Sequence, residues 1–455
     1  MRVVIKIMWW LLFLLVCGVE GRNPTAVNDS LKLNEARWMF AHNAYKRFPP
    51  LRDPALQSPV YASWDAFFAA LWDQMHFVVR FFASAVMQEL EYGHPSLETY
   101  LNEGVRGFEL DLFYDNASHH WTDVLDIAQC ANHSCSTRVT LQNPAWHADG
   151  FKVFHFQDVD MQSEFPLFRD YLRVVRRWSS RHPRHDPVFL FLELKHNPRD
   201  RIKRVGIHTK PPWPWPSNAG ERVDVELYSE LFVNRLFTPD LLKARCNTTT
   251  VAAAVSQCGW PTVGELRGQI LLAADLGSTA HSLEYIGNRS LAGRLMFDLT
   301  ARPDSDHPQQ RDAAAVFKLD DPVDDAGRIQ TFVDDGYLVL TRADADTLQA
   351  RGVHLNRRNA ALQSGAHWVS TDYLHPPPFL SNITGHTYFA ALLPQLDLTY
   401  QVSFRNATGQ PGFWVRCNHR TVQDCPPPPL ESSGVHHTPL WWILLVCLSF
   451  WSIPL

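Results

Sequence analysis

Eight short apolar runs, each running into a polar residue and then into helical or loop sequence, constrain this chain's fold more than any other feature. They are Trp38-Met39-Phe40-Ala41, Val105 to Phe113, Phe151 to Phe156, Val188 to Leu194, Gln269 to Ala273, Arg294 to Phe297, Tyr337 to Leu340 and His367 to Ser370. Several are apolar throughout, as parallel strands buried on both faces are, rather than alternating like half-exposed strands. Between them lie helical stretches. In Phe168 to Arg181 the residues Leu167, Tyr171, Leu172, Val175 and Trp178 return at helical spacing, and Val223 to Leu236 is another such segment. Eight strand–helix alternations predict an α/β fold, a (β/α)8 TIM-type barrel. A chain of 455 residues accommodates one such barrel with long βα-loop insertions, here residues 30–425. No repeat of about 20–50 residues is present, which excludes solenoids and propellers.

Both ends carry a different signature. In residues 1–21, Arg2 and Lys6 precede the apolar run Met8 to Val16 and then Cys17-Gly18-Val19-Glu20-Gly21, the pattern of a cleaved secretory signal. The apolar run is short for a membrane span of about 20 residues. At the other end, the prolines Pro426 to Pro429 open a stalk over 426–439 that holds Ser432-Ser433-Gly434. Residues 440–455 form a hydrophobic tail with no charged residue after it. That order of small residues, spacer and apolar tail predicts a glycosylphosphatidylinositol attachment signal, with a short tail anchor as the alternative.

Cysteine usage agrees with export. Setting aside Cys17 and Cys447 leaves Cys130 with Cys135, Cys246 with Cys258 and Cys417 with Cys425, three sequence-local pairs that suit disulfides in an oxidising compartment. No Cys-x-x-Cys pair supports zinc. Seven Asn-x-Ser/Thr sequons, at Asn28, Asn116, Asn132, Asn247, Asn288, Asn382 and Asn406, predict a glycoprotein at the cell exterior or secreted from it. The near balance of 42 Lys+Arg against 47 Asp+Glu argues against a nucleic-acid partner, whose binding neutralises many phosphates. No protein partner is evident.

In a barrel of this kind, chemistry gathers at the C-terminal strand ends. The first run ends in His42-Asn43. The second carries Glu109 and Asp111, two apart and so on one side of a strand. The third ends in His155, followed by Asp158 and Asp160. The fourth ends in Glu193 and Lys195, the fifth in Asp275, the seventh in Thr341-Arg342, and the eighth in Ser370-Thr371-Asp372-Tyr373. Oxygen ligands from Asn43, Glu109, Asp111 and Glu193 suit a hard cation, Ca2+ or Mg2+, rather than zinc. Two histidines, titrating near neutral pH, divide the work of general base and general acid. A hard cation with a His pair is a kit for phosphodiester cleavage.

Ala41-His42-Asn43-Ala44-Tyr45, Gly104 to Asp111, Phe154-His155-Phe156-Gln157-Asp158 and Pro187 to Lys195 together resemble the catalytic region of phosphoinositide phospholipases C, in particular the secreted, calcium-dependent, single-barrel branch. The likeness continues through Gly259 to Gly268, Gly336 to Asp344, Ser364 to Tyr373 and Arg416-Cys417-Asn418, over roughly 35–425. This resemblance implies that His42 and His155 are the catalytic pair, one deprotonating the inositol 2-hydroxyl and the other protonating the departing diacylglycerol oxygen. It implies that Asn43, Glu109, Asp111 and Glu193 hold calcium. Lys195 would meet the phosphate, Arg342 the inositol hydroxyls, and Tyr373 the face of the ring. Two departures stand out: relatives' cysteine pair after the second His is replaced here by Ser163-Glu164-Phe165 and Tyr171, and the stretch from His42 to Glu109 is unusually long. Nothing resembles the PH, EF-hand or C2 modules of signalling phospholipases.

Two other readings compete. Glycerophosphodiesterases and sphingomyelinase-D-like enzymes use a related barrel with a similar set of residues, but Asn43 and the motifs Val105 to Asp111 and Thr341 to Asp344 favour the phospholipase. A surface binding protein that has lost catalysis is disfavoured by the presence of both His and all four ligands. A membrane lipid substrate gives meaning to two aromatic segments. Tyr61 to Val86 holds Trp64, Phe67, Phe68, Leu71, Trp72 and Met75 on one helical face. Trp213-Pro214-Trp215-Pro216 lies near Arg199, Arg201, Lys203, Arg204 and Lys210. Both are expected to meet the membrane surface beside the active site.

Overall fold

The computed structural model describes residues 27–47, 92–115, 120–125, 138–158, 160–196, 209–345, 347–352, 355–376, 397, 399–405 and 413–428. Residues 1–21, the aromatic stretch 61–86, Cys130, Cys135, Arg199, Arg201, Lys203, Arg204 and residues 440–455 lie outside the described residues, as does most of 426–439.

In chain order the first elements are β1 (Ala36–Ala41), α1 (Leu97–Glu103), β2 (Gly107–Phe113), β3 (Asp123–Leu125), β4 (Arg138–Thr140), β5 (Lys152–Val153), α2 (Phe168–Arg181), β6 (Val188–Leu194) and α3 (Ala219–Glu230). There follow α4 (Pro239–Ala244), α5 (Val251–Gln257), β7 (Ile270–Asp275), α6 (Thr279–Ile286), β8 (Phe297–Asp298) and α7 (Pro308–Ala313). The chain continues through β9 (Val316–Lys318), α8 (Ala326–Asp334), β10 (Leu338–Arg342), α9 (Asn356–Gln363), β11 (Trp368–Thr371) and β12 (Val415–Cys417). Eight parallel strands run in the order β8-β7-β6-β2-β1-β11-β10-β9, a nearly closed barrel whose two end strands are not paired. Its seam therefore falls between β8 and β9. The (β/α)8 reading holds.

Why these runs become barrel strands is visible inside. Trp38, Phe40, Phe189, Phe191 and Trp368 meet ring to ring, with centroids 4.9–5.0 Å apart for Trp38 on Phe189, Phe40 on Phe191, and Trp368 on both phenylalanines. All are buried. These large rings fill the barrel and hold its strands at a fixed radius. Gly107 makes room for one of them, since a Cβ there would lie 2.1 Å from the Phe40 ring. Because side chains alternate, each inward row continues upward from the aromatic layer into the polar residues at the strand ends. Positions 38 and 40 lead to His42, 107 to Glu109 and Asp111, 189 and 191 to Glu193, and 368 and 370 to Asp372.

One strand differs from the sequence expectation. Phe151 to Phe156 is not a barrel strand. Only Lys152–Val153 is extended, pairing antiparallel with the end of β2 as a small extension above the barrel. The missing barrel strand is β9, three residues long, which pairs parallel with β10. Both segments are buried, and the difference lies in their residues: the first carries Lys152, whose Nζ pairs with Asp115 at 3.0 Å, whereas Ala313-Ala314-Ala315-Val316-Phe317 is apolar throughout, as a parallel barrel strand is. The helix predicted over Phe168 to Arg181 is α2. The second predicted helix begins earlier and ends earlier, at Ala219–Glu230. Cys246 pairs with Cys258 and Cys417 with Cys425, as their spacing predicted. Among the described residues no helix is long and apolar enough to cross a membrane.

Candidate active site and metal centre

His42 follows the last residue of β1, and Asn43 next to it takes a left-handed backbone conformation with φ 48°. Asparagine tolerates that region better than most residues, which turns the chain sharply while both side chains stay at the mouth. His42 Nδ1 lies 2.6 Å from Asp372 Oδ1, just past the end of β11. Asp372 is held in turn. Its backbone N–H donates to Asp344 Oδ1 at 2.8 Å, and Arg342 Nη2 donates to its Oδ2 at 2.9 Å. Burial raises the Asp372 carboxyl, but Arg342 and then His42 outweigh it and hold it below the usual carboxylate range. Burial, followed by Arg342, pushes His42 down to about 3 despite Asp372, so its imidazole is neutral at ordinary pH. With Nδ1–H given to Asp372, the lone pair sits on Nε2, which lies 3.8 Å from Glu109 Oε2.

His155 comes from a different place. It stands in the loop after β5, and its Nδ1 lies 2.8 Å from Asp160 Oδ2. Asp160 also faces Lys46 Nζ at 3.3 Å, and Lys46 is wholly buried. Against the effect of burial, Lys46 and His155 hold Asp160 below its ordinary range. The loop is pinned by Asp158, at φ 64°, which accepts from Arg138 and from the backbone N–H of Lys210.

Between the histidines and the aromatic layer lie the carboxylates. Ligand oxygens of Glu109, Asp111 and Glu193 all fall within 4.8 Å of one another. The register explains the grouping, since Asp111 pairs with Glu193 across β2 and β6. Two lysines share the cluster. Lys318 Nζ, at the end of β9, donates to Glu109 Oε1 at 2.7 Å and Glu193 Oε2 at 3.0 Å. Lys195 Nζ faces Asp111 Oδ2 at 2.9 Å and also bonds Glu193. Burial still drives Glu109 up to about 7 against the pull of Lys318, with Glu193 and Asp111 adding to it.

The cluster fits a hard divalent cation. Glu109 Oε2 and Asp111 Oδ1 are buried without a hydrogen-bond partner, oxygens of the type that calcium takes. A carboxylate that ionises reluctantly would be relieved by positive charge. Asn43 Nδ2 donates to Tyr92 Oη at 2.7 Å, which commits the amide nitrogen and leaves Oδ1 as the acceptor end. Tyr45 Oη donates to Asp111 Oδ2 at 2.8 Å and orients that carboxylate.

The structure thus brings together His42, His155, Asn43, Glu109, Asp111, Glu193 and Lys195, with Arg342 reaching the group through Asp372. Tyr373 is the exception. Its neighbour Asp372 faces His42, and alternation turns Tyr373 away, buried and edge-on to Tyr400 at 5.3 Å. It belongs to the core rather than to the mouth. Trp215 is likewise 6% exposed, packed on Tyr114 and Phe151 and donating to the Lys195 carbonyl, so this ring does not reach a membrane. Trp213 is half-buried against His120. Sequence reasoning missed Lys318 and Tyr92, and it gave Asp372 and Asp160 no role. The buried run ahead of Lys318 and the carboxylate at the end of the eighth run were the available signals.

The sequence model of the family described as calcium-dependent phosphoinositide phospholipase C matches residues 31–393. Among solved structures, a calcium-dependent phosphoinositol-specific phospholipase C from a Gram-negative Pseudomonas species is similar at 12% identity, covering 86% of this chain and 96% of that one with a TM-score of 0.44. The Ca2+-dependent phosphatidylinositol-specific enzyme of Streptomyces antibioticus is similar at 15% identity, covering 77% and 97% with a TM-score of 0.42. The phosphatidylinositol-specific phospholipase C of Listeria monocytogenes is similar at 12% identity, covering 76% and 90% with a TM-score of 0.35. No curated protein matches the chain.

Proposed function

Since the chain belongs to the calcium-dependent phosphoinositide phospholipase C family, we propose that it is a secreted or surface-held enzyme that cleaves phosphatidylinositol-type membrane lipids into diacylglycerol and a cyclic inositol phosphate. The family is one of phosphoric diester hydrolases that depend on calcium, and this chain is such an enzyme. The observation that carries the finer reading is the matched anchoring of two histidines, each through Nδ1 to its own carboxylate, above three clustered acids.

Asn43, Glu109, Asp111 and Glu193 would hold the calcium, which when bound supplies positive charge to a non-bridging phosphoryl oxygen. The chain's own residues do the rest. Neutral His42 accepts the proton of the inositol 2-hydroxyl at Nε2, and Asp372 stabilises the imidazolium that forms. The freed oxygen bonds to phosphorus and closes the cyclic diester as the bond from phosphorus to the diacylglycerol oxygen breaks. His155, anchored by Asp160, returns a proton to that leaving oxygen. Lys195 stands beside Asp111 within reach of the phosphate. Arg342 acts by fixing Asp372 rather than by touching the inositol ring.

Export is supported by residues 1–21, by the seven sequons and by the paired cysteines. Attachment through the 426–439 segment and the 440–455 tail is part of the same proposal. Contact with the bilayer is assigned to Trp213 and the neighbouring Lys210, together with the aromatic stretch 61–86. Phosphorus NMR of the product of a soluble short-chain phosphatidylinositol tests the reaction. A five-membered cyclic phosphate is expected; a phosphatidic acid with free inositol would overturn the reading in favour of a sphingomyelinase-D-like cleavage.

A further inference from the structure

Tyr92 sits beyond the long stretch that separates β1 from β2, and nothing in the reaction above uses it. It is 1% exposed. Its ring lies 6.2 Å from that of His42 and 6.0 Å from that of His155, so it is flanked by both acid–base groups. Lys46 Nζ stands 4.3 Å over the ring and donates to the Tyr92 carbonyl at 2.7 Å, which fixes the residue from behind. The phenol oxygen accepts from Asn43 Nδ2 at 2.7 Å.

That last contact leaves a proton to account for. A phenol is a donor as well as an acceptor, and a buried one normally finds partners for both. Among the described residues no acceptor takes the Tyr92 O–H. Asn43, itself a donor to that oxygen, has no need of it. A buried donor held beside both histidines and one proposed metal ligand lacks only an acceptor, and the group that enters this space in the proposed reaction carries negatively charged oxygens.

We propose that Tyr92 is a catalytic residue whose phenol O–H donates a hydrogen bond to a non-bridging phosphoryl oxygen of the substrate. The inference rests on the phosphodiesterase reading of the site. As charge builds on the phosphoryl oxygens, a fixed donor in a water-poor pocket stabilises it more than it stabilises the ground state. No proton is transferred: the bond to Tyr92 strengthens, and the proton inventory remains with His42 and His155.

The test is Tyr92→Phe in the full chain, with a soluble short-chain phosphatidylinositol as substrate. Expected are a fall in kcat on the order of 10²-fold, little change in KM, and calcium affinity by calorimetry equal to wild type. Wild-type kcat in the variant would overturn the proposal. A loss of kcat that comes with weakened calcium binding would also overturn it, because Tyr92 would then act only by positioning Asn43. Should the phenylalanine variant not fold, 3-fluorotyrosine at position 92 reads the same point: a changed kcat supports phosphoryl contact and an unchanged one refutes it. An inactive wild-type protein would refute the phosphodiesterase reading itself, an outcome distinct from equal activity in wild type and Tyr92→Phe.

Discussion

His42 stands at the end of a buried barrel strand and takes its carboxylate from 330 residues away, whereas His155 stands in a loop and takes its carboxylate from five residues on. The first arrangement exists only once β11 has closed against β1, a pairing in which Phe40 meets Ser370 and Ala41 meets Thr371. The second is nearly local, a turn pinned by Arg138, Lys210 and Lys46. One half of the site is therefore a product of barrel closure, and the other of a stapled loop. What differs is how each half fails when it is disturbed.

The largest effect falls on the histidines themselves. His42→Ala and His155→Ala should each lower turnover by on the order of 10²–10⁴-fold. The double variant should lose less than the product of the two, since the groups act as one unit. Near wild-type turnover in either single variant would break the equivalence of the two halves.

Replacing the anchors separates the halves. Asp372→Asn is expected to lower kcat by on the order of 10²–10⁴-fold by upsetting the His42 tautomer. Its other partner, Arg342, keeps a side chain 18% exposed, so the charge left behind is not fully buried. Asp160→Asn removes the carboxylate facing Lys46, whose side chain is 0% exposed, so it should cost about 3–5 kcal/mol of stability as well as rate. Chemical denaturation of both variants reads the contrast. Equal stability losses would mean that the loop is no more dependent on its ion pair than the barrel is.

A smaller effect concerns the carboxylates below. Lys318→Met takes a charge away from Glu109 and Glu193 and should tighten calcium binding on the order of 10-fold, read by titration calorimetry. Weaker binding would show that the lysine props the ligands in place instead of competing for them.

His367 provides a third case, buried with no carboxylate partner among the described residues. Its Nδ1 accepts from Val339 N–H at 3.1 Å, and its Nε2 donates to the Asn34 carbonyl at 3.0 Å. Burial lowers its pKa from 6.5 to about 3. The unfolded chain takes up a proton here as pH falls below 6.5 and the folded one does not, so this contribution is complete above 6.5 and declines as pH drops towards 3. His367→Asn should be less stable at neutral pH yet show a shallower acid limb of melting temperature against pH. An unchanged slope would assign the acid lability to other groups.

Much of this was legible from residues alone, for a reason the two halves share. The two-residue period of a strand fixes which side chains face inward, so Glu109 with Asp111, and Glu193 at the end of its run, announced themselves without coordinates. His155 was singled out although its strand was misread, because the motif around it is the same whether it ends a barrel strand or a loop. Lys318 was passed over although an apolar run precedes it, since a three-residue strand gives too few positions to establish a pattern. Asp372 was seen at its strand end, but its bond to His42 depends on which strands become neighbours when the ring closes. Tyr373 was misplaced by the same alternation that places Asp372: one step along a strand reverses the face. Tyr92 carries no sequence signature of its own and acquires meaning only from the rings on either side of it.

The most direct measurement is the rate of diacylglycerol release from phosphatidylinositol vesicles by the full chain, followed through removal of calcium with a chelator and its restoration, for wild type and Asp111→Asn side by side. Wild type should fall to background in chelator and recover fully on adding calcium back, while Asp111→Asn remains near background throughout with an unchanged melting temperature. Undiminished release in chelator, or full activity in a folded Asp111→Asn protein, would contradict a calcium-held phosphodiester reaction at this site.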